Sequence, residues 1–97
     1  MSDYEVIATG LQFPEGPLVM PDGSIVVVEV KRGTISRIDP DDGSVEVIAR
    51  PGDGPNGAAI GPDGALYVCN NGGFTWSELR GLTIPGLAAE EYSSGRI

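Results

Sequence analysis

The chain repeats itself with a period of 41 residues, and this repeat restricts the possible folds more than any other feature. When residues 3–30 are aligned without gaps on residues 44–71, ten of the 28 positions are identical. Each copy contains a turn of Pro and Gly, an apolar run and then a Pro-Asp-Gly turn, at residues 21–23 and 62–64. A period of about 40 residues with four short strands per unit is typical of a β-propeller blade. The repeat therefore predicts an all-β chain that supplies about two blades of a β-propeller.

Strand positions follow from β-branched runs bounded by turn residues. Strands are predicted at residues 3–9, 16–20, 24–30, 34–39, 44–50, 57–60 and 65–70. The strand at 24–30 is apolar on both faces, so we expect it inside a sheet. The strand at 3–9 matches the outermost strand of the first blade in sequence, so we expect it to close another blade and remove a free edge. A plain antiparallel meander with a coincidental repeat is the alternative.

The second repeat is interrupted. Residues 3–43 form the first repeat and residues 44–97 the second, within one partial propeller that spans residues 1–97. The Gly-Thr-Ile at 33–35 is matched only by the Gly-Arg-Ile at 95–97, so residues 73–93 are predicted to be an insertion. Because the insertion is rich in apolar residues, we expect it to fold over the protein, with a short helical turn at residues 85–91.

The length of the chain limits what it can form alone. A propeller needs at least four blades, and six repeats of this size need roughly 250 residues. We therefore expect the 97 residues to be a fragment, one half of a split protein, or a protomer whose copies complete the ring. The sequence leaves these three possibilities open.

The charge and the single cysteine exclude several classes of function. The net charge is −8, with acidic residues spread along the chain, which argues against nucleic acid and anionic membranes as partners. No apolar run approaches 18 residues and no signal peptide is recognisable, so a cytoplasmic location is expected. Cys69 cannot form an internal disulfide, and its position in the middle of a strand predicts a packed thiol.

The chain contains no histidine, so its own residues cannot form a Ser–His–Asp triad, a Cys–His pair or a His-ligated zinc site. The remaining chemistry is that of Asp, Glu and Asn oxygens. Glu15 and Asn56 occupy equivalent positions of the two repeats, so their side chains are expected to converge. A carboxylate and a carboxamide are ligands that hard cations prefer, and we predict both residues as metal ligands. The alternative is that both only shape their turns.

Further polar residues are expected at the same end of the sheets, because the first strand of an antiparallel blade begins where the second strand ends. This end also carries the insertion, and polar groups under a cover are the usual layout of a binding site. The candidate substrate-binding residues are Asn56, Asn70, Asn71 and Trp76. Alternative structural roles are a blade or loop role for Glu29, Asn70 and Asn71, a solvated turn for Lys31 and Arg32, and packing for Trp76.

Four segments resemble a known family. Residues 13–17 (Phe-Pro-Glu-Gly-Pro), 33–40 (Gly-Thr-Ile-Ser-Arg-Ile-Asp-Pro), 54–57 (Gly-Pro-Asn-Gly) and 62–68 (Pro-Asp-Gly-Ala-Leu-Tyr-Val) are similar to the gluconolactonase/regucalcin family. Its members are six-bladed calcium-dependent β-propellers, related to diisopropyl fluorophosphatase and paraoxonase. The similarity covers essentially the whole chain but only about the first third of such a protein.

The resemblance implies a divalent ion, usually calcium, near the ring axis. Glu15, from the Glu-Gly-Pro motif, would be a ligand, and Asn56 would touch either the ion or the substrate. The catalytic base would come from later blades, so it is unknown within this chain. Many sugar-lactonase members have Arg two residues before the Asn, whereas this chain has Gly54, a departure that bears on sugar-acid lactones as substrates.

The resemblance further implies metal-assisted hydrolysis of a small lactone or ester. Because the ligands come from separate blades, this chain alone is predicted to be inactive, and a complementary segment or further copies would complete the ring. The rival readings are a non-catalytic propeller that acts as an interaction scaffold, a phosphotriesterase-like hydrolase, and a condensing enzyme like strictosidine synthase.

Overall fold

The chain folds into small antiparallel sheets and, in the part that the structure describes, has no helix. The structure is a computed structural model that describes residues 4–89, 92 and 94–97. Its eight strands are β1 (Pro14–Val19), β2 (Ile25–Glu29), β3 (Thr34–Ile38), β4 (Val45–Ala49), β5 (Pro55–Ile60), β6 (Leu66–Asn70), β7 (Phe74–Leu79) and β8 (Leu82–Ala88). Strands β1 to β4 form one four-stranded sheet in chain order, β5 pairs with β6, and β7 pairs with β8. The all-β prediction of about two blades is confirmed.

The sequence repeat is also a structural repeat. Strands β5 and β6 begin and end 41 residues after β1 and β2. Both pairs have a register irregularity near the start of the first strand, between Glu15 and Leu18 in one and between Pro55 and Ala58 in the other. The same 41-residue spacing therefore governs both the strands and their bulges.

The core lies between the first sheet and the β5–β6 pair. Val26, Val28 and Val30 are at most 2 % exposed, and Ile35 completes their cluster. Strand β2 is covered on both faces, as its apolar sequence predicts. Partly buried side chains pack against this cluster from other elements: Phe13, Met20, Ala58, Leu66, Val68, Phe74 and Trp76. Packing of consecutive repeats face to face is the way in which repeat units bury a continuous core.

The Pro-Asp-Gly turns close the far ends of the two strand pairs in the same manner. The Asp22 carboxylate accepts a hydrogen bond from the backbone N–H of Ser24, and the Asp63 carboxylate accepts one from that of Ala65. These bonds hold the pKa of each aspartate below its usual value, with the Ser24 hydroxyl as the main cause for Asp22 and the Ala65 N–H for Asp63. The turns fix the register at this end and leave the opposite end for the candidate site.

The strand predicted for residues 3–9 is not formed. Residues 4–9 have no strand partner in the described chain, and residue 3 lies outside the described residues. The segment passes the turn between β3 and β4, where a Cβ on Gly43 would lie 2.7 Å from the Ile7 carbonyl oxygen. A strand needs hydrogen bonds from a neighbouring edge. Its proposed role in closing another blade stays a prediction.

The helical turn predicted for residues 85–91 is wrong where the structure describes this segment. Residues 82–88 form β8, which pairs with β7 in a hairpin closed by Arg80 and Gly81. Both turn residues have positive φ angles, 53° and 80°, which match the twist of a two-residue hairpin loop. Pro85 is tolerated because edge strands can lack an N–H donor. Residues 90 and 91 lie outside the described residues.

After the hairpin the chain returns to the β5–β6 sheet. Arg96 bridges Asn70, with backbone hydrogen bonds of 2.7 and 2.9 Å in the two directions. In the first repeat, Thr34 pairs with Glu29 in the same way. Arg96 therefore takes the place in the second repeat that Thr34 takes in the first.

The environment of Cys69 differs from the one that the sequence predicts. The packed environment predicted for Cys69 is wrong, because this residue is exposed on β6. In the described part of the chain, no helix is long and apolar enough to cross a membrane.

Candidate functional site

Glu15 and Asn56 are the second residues of β1 and β5, and both side chains are exposed. Each is followed by a glycine in the left-handed region, with φ of 54° at Gly16 and 99° at Gly57. Residues other than glycine rarely adopt this conformation, so the local backbone requires a glycine directly after Glu15 and directly after Asn56. Bulges of this kind turn a side chain away from the regular alternation of a strand and are frequent beside active sites.

The two bulges lie against each other. A Cβ built on Gly16 would be 3.1 Å from the Gly57 Cα and 3.5 Å from the Ala58 nitrogen. Because Glu15 and Asn56 directly precede these glycines, the close approach brings their backbones to the same end of the molecule, as the repeat predicts. No side-chain hydrogen bond or ion pair joins either residue to the rest of the described chain. Their oxygens are available to a ligand.

The pair fits part of a hard-cation site. Calcium takes six to eight oxygen ligands, and one carboxylate with one carboxamide supplies only a fraction of them. Within the described residues no group of three or more His, Cys, Asp or Glu side chains is placed to hold a metal ion. The donor type is therefore right for calcium, and the number requires ligands from outside this pair.

The turn before Glu15 has a strained backbone that neighbouring residues stabilise. Phe13, a non-glycine residue, has a φ of 57°, a conformation that costs on the order of 1–3 kcal/mol. Its carbonyl oxygen accepts a hydrogen bond of 3.0 Å from the Val30 N–H. Its ring packs on Trp76, with 5.1 Å between ring centroids. The surrounding structure thus imposes the conformation from which β1 starts.

Glu29 is completely buried at the end of β2 and lies under this turn. Its carboxylate accepts hydrogen bonds from four groups: the Gln12 N–H (2.8 Å), Arg32 Nε (2.8 Å), Thr34 Oγ1 (3.1 Å) and Ser36 Oγ. Burial raises the pKa of Glu29, but the hydrogen bonds from Ser36, Arg32, Gln12 and Thr34 outweigh it and hold the pKa below its usual value. Glu29 is therefore an ionised, fully satisfied structural group. The blade role is the reading that these contacts favour.

Asn70, at the end of β6, is the repeat equivalent of Glu29 and is also buried. Its Oδ1 accepts hydrogen bonds from the Gly54 N–H (3.3 Å) and the Gly72 N–H (2.9 Å). Its Nδ2 donates to the Gly52 carbonyl oxygen at 2.8 Å. Every polar atom of the side chain is engaged with backbone, which favours a loop-holding role over the predicted contact with substrate.

Asn71 lies over the backbone that precedes Asn56. Its Oδ1 accepts a hydrogen bond from the Gly73 N–H at 2.7 Å, and its own N–H donates to the Gly54 carbonyl oxygen at 2.8 Å. Its Nδ2 is buried without a hydrogen-bond partner among the described residues. Gly54 leaves the room for this carboxamide, because a Cβ there would lie 2.1 Å from Asn71 Oδ1. The substrate role of Asn71 stays a prediction.

The β7–β8 hairpin reaches the same end of the molecule as Glu15. Trp76 packs against both Phe13 and Phe74, the latter edge-on with centroids 6.1 Å apart. An exposed ion pair of 3.3 Å joins Lys31 to Glu78. Trp76 thus has the packing role that the alternative reading gives it, and whether it also contacts a substrate stays a prediction.

Sequence reasoning assigns Arg32 to a solvated turn, and the structure gives it a larger role. Its Nη2 donates to the Gly10 carbonyl oxygen at 2.9 Å, in addition to the bond from Nε to Glu29. The network around Glu29 is the feature that motif reading passes over. The usable signal is the 41-residue spacing, which places Glu29 and Asn70 at the same point of two repeats.

Comparison with known proteins gives one positive result. The family model described as SMP-30/Gluconolactonase/LRE-like region matches residues 13–96, which contain both bulges and all eight strands. A search of curated proteins finds no match.

Proposed function

The chain belongs to the SMP-30/gluconolactonase/LRE-like family, and we propose that it carries part of a calcium-dependent lactonase site. The family places the chain among lactonase-like propellers, and calcium and lactone hydrolysis are our proposal for this member. One observation carries it: two equivalent bulges, so close that a Cβ on Gly16 would lie 3.1 Å from the Gly57 Cα, present a carboxylate and a carboxamide that have no hydrogen-bond or ion-pair partner in the described chain.

Glu15 and Asn56 are the residues that would hold the ion. The Glu15 carboxylate supplies the negative charge, and the Asn56 carbonyl oxygen supplies a neutral ligand or orients the substrate beside it. When bound, calcium supplies Lewis-acid chemistry, which polarises the carbonyl group of a lactone or ester. The catalytic base is assigned to residues outside this chain.

The remaining residues of this end shape the site. Phe13, two residues before Glu15, packs on Trp76, and Trp76 packs on Phe74, so an aromatic cluster supports the turn that carries Glu15. We propose a small lactone or ester as the substrate, and a complementary segment or further copies of the chain as the partner that completes the ring. A cytoplasmic location stays a prediction.

Calorimetric titration with calcium tests the metal site directly. We expect Glu15→Gln to abolish binding and Asn56→Leu to weaken it, whereas Asn56→Asp, which keeps a side-chain oxygen ligand, retains binding. The matched control is Glu46→Gln, an exposed carboxylate on β4, away from the two bulges, and it should leave the titration unchanged. Equal binding in the wild-type chain and in Glu15→Gln would refute the metal site and favour a non-catalytic scaffold.

Native mass spectrometry, under conditions that retain ions, tests the requirement for a ring. Lactone hydrolysis should accompany only species with the mass of a completed ring plus calcium. Turnover of a lactone by the metal-loaded 97-residue monomer would contradict this part of the proposal.

A further inference from the structure

We propose that Glu29 and Asn70 are positioning residues that fix the two turns presenting Glu15 and Asn56. This inference rests on the proposed function, because it assigns those turns to a metal site. The two positions are 41 residues apart, and each is the last residue of the second strand in its repeat. Glu29 pairs with Pro14, and Asn70 pairs with Pro55, so each lies across from the residue directly before the candidate ligand.

In the first repeat, the Glu29 carboxylate holds the segment that leads into β1. The Gln12 N–H binds its Oε1 at 2.8 Å, three residues before Glu15. Arg32 binds the same oxygen at 2.8 Å and also the Gly10 carbonyl oxygen at 2.9 Å. Residues 10–12 are thereby tied at two points to the end of β2.

In the second repeat, Asn70 performs the same task with different chemistry. Its Nδ2 binds the Gly52 carbonyl oxygen and its Oδ1 binds the Gly54 N–H, two residues before Asn56. Residues 52–54 are therefore tied at two points to the end of β6, one position later in the repeat than residues 10–12 are tied at the end of β2.

The identity of each anchor follows from its partners. Two of the groups that bind Glu29, the Gln12 N–H and the Arg32 guanidinium, can only donate, and both bind Oε1. The Thr34 and Ser36 hydroxyls bind Oε2, and the negative charge of the carboxylate strengthens all four bonds. Asn70 faces one carbonyl and two N–H groups, so only a side chain with both a donor and an acceptor fits. Both test variants keep the shape of the side chain. Asn70→Asp places an acceptor against the Gly52 carbonyl oxygen, and Glu29→Gln removes the charge that strengthens the bonds from Gln12 and Arg32.

Hydrogen exchange of the 97-residue chain tests the anchors independently of metal. We expect Glu29→Gln to speed exchange in residues 10–16 roughly tenfold, with little change in residues 52–57, and Asn70→Asp to do the reverse. Ile38→Ala is the control, because it opens the core at the far end of β3 and should affect both segments alike. Uniform acceleration in the anchor variants, or none, would overturn the proposal. If Glu29→Gln does not fold, Arg32→Gln removes the exposed half of the same clamp and is expected to act on residues 10–16 alone.

Terbium luminescence, sensitised by Trp76, connects the anchors to the ligands. Both anchor variants should raise the Tb³⁺ midpoint roughly tenfold, as substitutions behind metal ligands commonly do, whereas Ile38→Ala should not at equal folded fraction. An unchanged midpoint in the anchor variants, with binding lost in Glu15→Gln, would overturn the positioning role. An unchanged midpoint in Glu15→Gln would instead refute the metal site, and hydrogen exchange alone would then decide on the anchors.

Discussion

Gly54 and Asn71 are fitted to each other, and this pairing explains the glycine two residues before Asn56. The φ angle of Gly54 is not in the left-handed region, so its backbone would accept a side chain. The obstacle is the carboxamide of Asn71, which fills the position of the missing Cβ. The space that a longer side chain would need beside Asn56 is therefore occupied by a neutral amide, held by its bond to the Gly73 N–H.

We predict that Gly54→Ala lowers the free energy of unfolding by about 1–3 kcal/mol, because the added methyl group displaces Asn71. The double variant with Asn71→Ala should recover at least about 1 kcal/mol, since the two sites are in contact. Urea denaturation of the two single variants and the double variant measures this coupling. Gly57→Ala is the matched control. Its loss of stability comes from the φ of 99° alone, because a Cβ at Gly57 would meet open space, so Asn71→Ala should not relieve it. Additive effects of Gly54→Ala and Asn71→Ala would contradict the pairing.

Among the elements, the β7–β8 hairpin contacts the first sheet through Trp76 and through an exposed ion pair. We expect these two contacts to differ greatly in how much they stabilise the fold. Trp76→Ala should lower the free energy of unfolding by about 2–3 kcal/mol, because it removes contacts with Phe13 and Phe74 from a half-buried site. Lys31→Met should change it by less than about 1 kcal/mol, as is usual for exposed ion pairs. Urea denaturation followed by circular dichroism compares the two. A larger effect of Lys31→Met than of Trp76→Ala would show that charge, rather than aromatic packing, holds the hairpin.

The hairpin also marks the limit of what the sequence can predict. The 41-residue repeat predicts strands β1 to β6 and the equivalence of Glu15 and Asn56, because its turns carry Gly at the positions that need positive φ. Within residues 73–93 there is no second copy for comparison. The turn of the hairpin places Arg80 in the left-handed region, and turn propensities do not predict an arginine in that conformation. The role of Glu29 is equally hidden, since it depends on donors from residues 12, 32, 34 and 36 that converge only in the folded sheet.

At the scale of the whole molecule, the two repeats differ in what covers them. In the first repeat, Val26 and Val28 are 1 % and 0 % exposed beneath the β5–β6 pair. Their equivalents 41 residues later are Tyr67, which is 49 % exposed, and Cys69, whose thiol is also exposed. A cavity of about 420 Å³ lies on this face, lined by Gly57, Ala58, Ala59, Tyr67, Cys69 and Ile97. The face that one repeat offers to its successor is therefore open on the second.

Cys69 reports on this face, so its reactivity tests whether a further unit packs there when a ring forms. A thiol reagent should label Cys69 fully and rapidly in the monomer, and at least roughly tenfold more slowly in any assembled species seen by native mass spectrometry. The matched control is Val28→Cys in a Cys69→Ser background, which places a thiol at the equivalent covered position and should resist labelling even in the monomer. Rapid labelling of Cys69 in the assembled species would mean that the copies associate through another surface. In that case the open face of β5 and β6 would not be the place where the next blade packs, and the ring proposed for the lactonase site would have to close by a different contact.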